Sequence, residues 1–130
     1  MKIVNRTEFL SMPTPFMYVK CDNYGNSDGD MCINCGTTTS KKDWFYNSCI
    51  LEPDSNDSNE RWNKWFKMLD DSSLDLPVIA DDIKRDGRFD NDQRFIVFSR
   101  DDFKTLIDML QSYLGTYSGG PDHELYGIEE

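Results

Sequence analysis

The clearest hydrophobic pattern lies in the last third of the chain. Phe95, Ile96, Val97 and Phe98 form an unbroken apolar run of β-branched and aromatic residues, the pattern of a strand covered on both faces. The period then lengthens. Phe103, Leu106, Ile107, Leu110 and Leu114 recur at spacings of three and four, which places them on one helical stripe. Ser99 stands where a hydroxyl can cap the first free N–H groups, and Asp102 holds the capping-box position three residues on. Asp101 and Asp102 also favour the positive end of the helix dipole, and Gly115 is placed to close the helix at C′. The stretch from Arg85 to Gly115 therefore predicts a turn, a core strand and a capped helix.

Shorter patterns precede it. Lys2–Val4 reads as a short strand or an entry segment, and Thr7 as the cap of a helical turn over Glu8–Ser11 that Pro13 and Pro15 stop. Phe16–Lys20 and Met31–Asn34 predict a hairpin whose loop, Asp22–Asp30, is turn chemistry throughout. Asp43–Leu51 gives a third strand rich in aromatics, and Glu52–Asn59 a polar loop. Asp57 with Glu60 signals the start of a helix through Leu69, with Trp62, Trp65, Phe66 and Leu69 on one stripe that reads as core. Residues Asp70–Ala80 read as irregular, with a short Val78–Ile79 strand. The expected fold class is α+β: a small, mostly antiparallel sheet of three to five strands with two main helices packed on one side. Residues 1–116 are expected to form a single domain, and 117–130 a mobile acidic tail.

Charge narrows the function classes. The formal net charge is −10 and the sequence pI about 4.4, which argues against direct binding to nucleic acid or to an anionic membrane. Residues 1–51 carry five bases and five acids, whereas 101–130 carry one base and seven acids, so the acidity is concentrated late in the chain. The first residues hold no apolar signal segment and no run approaches the length of a membrane span, so a cytoplasmic protein with reduced cysteines is expected.

Candidate chemistry is sparse. Cys32-Ile-Asn-Cys35-Gly has the shape of a zinc knuckle, and Cys21 and Cys49 on neighbouring predicted strands could complete a four-thiolate site. The competing reading is four cysteines acting as small hydrophobes in strands. A redox C-x-x-C is set aside because a Gly and a Thr/Ser loop follow it where a helix would be needed. The single histidine, His123, lies in the tail, and neither a nucleophile elbow nor a phosphate-cradling loop is present. A non-enzymatic protein without a cofactor is therefore expected. The Asp81–Asp92 segment fails as a calcium loop because no in-register Gly and Glu occupy the required positions. Its carboxylates Asp81, Asp82, Asp86, Asp90 and Asp92, with Asp70, Asp71 and Asp75, are instead candidates for a partner-binding acidic face that imitates phosphate spacing. The simpler alternative is a solvated acidic turn.

The opening MKIVNRTEFLSMP and the later RDGRFDNDQRFIVFSRDDFKTLIDML carry a resemblance. Phe9, Leu10, Met12 and Pro13, and then Asp86, Gly87, Phe89, Asp90, Asp92, Gln93 and Phe95, fit a pattern found in small accessory proteins of tailed bacteriophages and prophages. The chain resembles that group at its two ends. The resemblance implies a setting: a protein made in an infected bacterium that binds and inhibits a host or anti-phage defence protein, such as an immune nuclease. Two alternatives stand beside it. One is a small zinc-stabilised binding module; the other is a protein that sequesters a small signalling ligand.

Overall fold

Aromatic and β-branched residues at alternate positions build most of the strands. The computed structural model describes residues 1–22, 29–80, 82–87 and 92–119. In chain order these form β1 (Lys2–Asn5), α1 (Arg6–Ser11), β2 (Phe16–Cys21), β3 (Cys32–Thr37) and β4 (Trp44–Ser48). There follow β5 (Glu52–Pro53), α2 (Ser58–Asp70), β6 (Val78–Ile79), β7 (Ile83–Asp86), β8 (Arg94–Val97) and α3 (Arg100–Leu114). Six strands make one sheet in the order β1-β8-β2-β3-β4-β7, with every neighbouring pair antiparallel, and β5 pairs with β6 alone. The α+β class is as expected, but the main sheet has six strands where three to five were predicted.

The register sorts the side chains onto two faces. Val4 opposes Phe95, Tyr18 opposes both Val97 and Cys32, and Trp44 opposes Asp86, all on an inner face. Ile3, Ile96, Met17 and Phe45 fall on the outer face. Phe9, from the short helix α1, is the hub of the inner face. Its ring stacks on Phe95 at a centroid distance of 3.8 Å and meets Tyr18 at 4.8 Å and Trp44 at 4.9 Å edge-on. The Trp44 indole N–H donates to the Tyr18 hydroxyl at 2.8 Å, so the polar tips of both rings are satisfied inside the core. Arg6, the residue that opens α1, is also buried. Its guanidinium donates to Gln93 Oε1 and to the Lys42 carbonyl and lies 5.2 Å from the centre of the Trp44 ring.

Several local expectations change. Asn5, not Thr7, caps α1, its side chain accepting from the Glu8 N–H. The β8 run is not buried evenly. Phe95 and Val97 are buried while Ile96 and Phe98 are half-buried, because the inner face is closed by α1 and the outer face is not closed to the same degree. Residues 83–86, expected to be part of an acidic turn, form the edge strand β7 against β4. Gly115 is the C-cap residue and keeps a right-handed helical conformation (φ −66), so it does not provide the left-handed closure expected of it. The larger helices α2 and α3 contain no buried residue, and the helix that closes the core is α1. Residues 120–130, most of the expected acidic tail, lie outside the described residues.

Candidate functional site: the outward faces of α2 and α3

Helix α2 starts where the sequence predicts. Asp57 accepts from the Glu60 N–H at 2.7 Å, and Glu60 accepts in return from the Asn56 N–H at 3.2 Å. The Asn56 amide first, and then the Lys64 ammonium, hold the Glu60 carboxyl below its usual range. The unexpected feature is the way the helix faces. Arg61 turns toward the body of the protein, reaching Glu52 at 2.9 Å and Asp82 at 2.7 Å, and its side chain is only 15% exposed. Lys64, on the same side, reaches the Asp54 carbonyl and Glu60. The apolar stripe is left in water: Trp62 is 62% exposed, Phe66 58% and Leu69 79%. The helix is thus docked by its charged side with its aromatic side outward.

Helix α3 turns the start of its apolar stripe toward the sheet and leaves the rest exposed. Its N-terminus has a complete capping box, with the Ser99 side chain accepting from the Asp102 N–H at 3.1 Å and Asp102 accepting from the Ser99 N–H at 2.9 Å. The terminal ammonium of Met1 adds an ion pair to Asp102 at 2.7 Å, and these bonds hold the Asp102 carboxyl below its usual range, the ammonium foremost. Phe103 in the first turn borders a cleft of about 410 Å³ shared with Pro15, Met17, Ile33 and Phe98. Beyond it the stripe runs into solvent, with Leu110 58% and Leu114 63% exposed. The periodicity that predicted a core-facing helix is present, but most of the stripe is exposed.

The predicted acidic face is dispersed. Asp86 is buried on the inner face of the sheet and paired with Lys20, so it is not part of a solvated turn. Asp82 is engaged by Arg61 at 2.7 Å and lies 3.9 Å from Lys84. Asp71 accepts from both the Ser73 hydroxyl and its N–H, and these bonds hold its carboxyl below the usual range. Asp70, Asp75 and Asp92 are exposed. Asp81 and Asp90 lie outside the described residues.

The four cysteines do not form one cluster, although Cys49 lies near enough to Cys32 to act on its thiol. Strand alternation puts Cys21 and Cys32 on opposite faces of the sheet, Cys21 buried and Cys32 half-buried, while Cys35 and Cys49 are exposed. Among the described residues no group of three His, Cys, Asp or Glu side chains is placed to hold a metal ion. Burial pushes the thiols of Cys21, Cys32 and Cys49 up from their ordinary value. His123 lies outside the described residues. No helix among the described residues is long and apolar enough to cross a membrane.

What sequence reading missed is the direction of α2. The clue was beside the apolar stripe, where Arg61 and Lys64, three residues apart, are two cations close in sequence to Glu52 and Asp54. No family model, curated protein or solved structure matches the chain.

Proposed function

We propose that this is a non-enzymatic binding protein whose partner is another protein, engaged by the outward apolar faces of α2 and α3. One observation carries the reading: α2 is anchored through Arg61 and Lys64 while Trp62, Phe66 and Leu69 face water. Exposed apolar patches on a folded protein mark interaction sites, and tryptophan is among the residues that contribute most when buried at an interface. The acidity fits a supporting role. A net charge of −10 raises the encounter rate with a basic partner and selects against acidic ones. The partner would present an apolar groove rimmed by Lys and Arg, as nucleic-acid-binding proteins do. Taken with the resemblance to phage accessory proteins, the reading is an inhibitor of a host or anti-phage defence protein, acting in the cytoplasm of an infected bacterium.

The test is affinity capture from bacterial lysate with the full chain and two variants, Trp62→Ala with Phe66→Ala, and Asp70→Lys with Asp75→Lys. A protein retained by the parent chain and lost with the aromatic variant is the expected result. Loss with the charge-reversed variant alone would return the site to the acidic face and overturn the helix-face reading. Recovery of no partner would overturn both.

A further inference from the structure

The inner face of the sheet has a part that α1 does not cover, and it is polar. There Lys20 of β2, Cys32 of β3, Tyr46 and Ser48 of β4, and Lys84 and Asp86 of β7 line a cleft of about 220 Å³. Gly29 and Asp30, just before β3, and Glu52 of β5 complete its wall with Tyr18. The volume is that of about seven liquid waters, enough for a ligand of amino-acid size.

Its electrostatics have a definite form. Two ion pairs line the cleft, Lys20 with Asp86 and Lys84 with Glu52 at 3.3 Å; Glu52 is also held by Arg61 at 2.9 Å, and Asp30 adds a third carboxylate. Between them stand neutral groups that both donate and accept, the Tyr46 and Ser48 hydroxyls. Burial raises the Tyr46 phenol, with the nearby Asp86 carboxylate adding to the effect, so it remains a neutral hydroxyl at pH 7. A ligand of one charge would gain from one member of each pair and be repelled by the other. A phosphate would also face Asp30, Glu52 and Asp86 together. A ligand carrying both signs can join each pair as a third partner, its ammonium near a carboxylate and its carboxylate near an ammonium, with Asp30 adding to the pull on the ammonium end. We propose that this cleft binds a small zwitterion of the α-amino-acid class, with Lys20 and Lys84 facing its carboxylate, Glu52 and Asp86 facing its ammonium, and Tyr46 and Ser48 bonding between them. The site is separate from the α2 and α3 faces and does not depend on them for its ligand.

The test is a titration of the full, isotope-labelled chain followed by amide proton–nitrogen spectra. The probes are L-serine and L-glutamine as zwitterions, with ethylamine and propionate as single-charge controls. Saturable shifts of the Lys20, Cys32, Ser48 and Lys84 amides with a zwitterion, and none with the controls, are expected. Lys84→Gln should weaken that binding about tenfold, the scale of one hydrogen bond to a charged group, with the rest of the spectrum unchanged. Ser48→Ala, which removes no charge, serves as the second variant if Lys84→Gln disturbs the sheet. No saturation by either zwitterion, equal binding of a single-charge control, or unchanged affinity in both variants would overturn the assignment.

Discussion

Phe9 illustrates how much one side chain from a six-residue helix can hold in place. It is fully buried, and its ring touches four aromatic rings that come from β2, β4 and β8. Phe9→Ala should therefore lower stability by about 3–5 kcal/mol, the cost of emptying a tightly packed aromatic site, readable as a shift of the urea midpoint. Tyr18 beside it predicts a pH dependence. Burial drives its phenol far above the ordinary value of 10.0, the bond from Trp44 only partly offsetting this. The folded state thus keeps a proton that the unfolded chain releases. Stability from this group is fully present below pH 10 and declines as the pH rises above it. Tyr18→Phe should flatten the alkaline decline in urea midpoint while lowering the midpoint at neutral pH, because the Trp44 N–H loses its acceptor. A shallower slope would remain from Tyr46, which is shifted in the same direction.

At the scale of elements, what could be read from the sequence follows the range of the interactions involved. The caps Ser99 and Asp57 were legible because a capping bond spans three residues and needs nothing else. Ser99→Ala should cost about 1 kcal/mol, measurable by thermal unfolding. The direction of α2 was not legible. Periodicity says which residues share a face, whereas the side toward the protein was decided by Glu52 and Asp82, which lie outside the helix. With α2 so oriented, Trp62→Ser and Phe66→Ser should each change the stability read from the urea midpoint by no more than about 0.5 kcal/mol, as surface changes do. A core position would cost several times that. Strand β7 was also hidden: Ile83-Lys84-Arg85-Asp86 has little β-forming character, and its strand form comes from pairing with β4 at the sheet edge. The cysteines show the same limit: Cys49 comes near Cys32 across the β3–β4 pair, whereas the alternation of β2 puts Cys21 on the other face of the sheet and Cys35 stands at a bulge between Asn34 and Gly36.

For the whole molecule, the order β1-β8-β2 matters beyond its geometry. The first two strands of the chain are never neighbours; each pairs with β8, which comes from residues Arg94–Val97. On a ribosome, β1, α1 and β2 emerge early but have no common partner until that late strand arrives, and Phe9 has no Phe95 to stack on. Hairpins such as β2–β3 and β3–β4 can close as they are made, while the centre of the sheet waits for a contact between distant parts of the chain. During synthesis the aromatic face that later becomes the core is thus presented to the surroundings until Arg94–Val97 has been made, and a message cut short before the codon for Arg94 yields a product that chaperones and proteases would meet as unfinished.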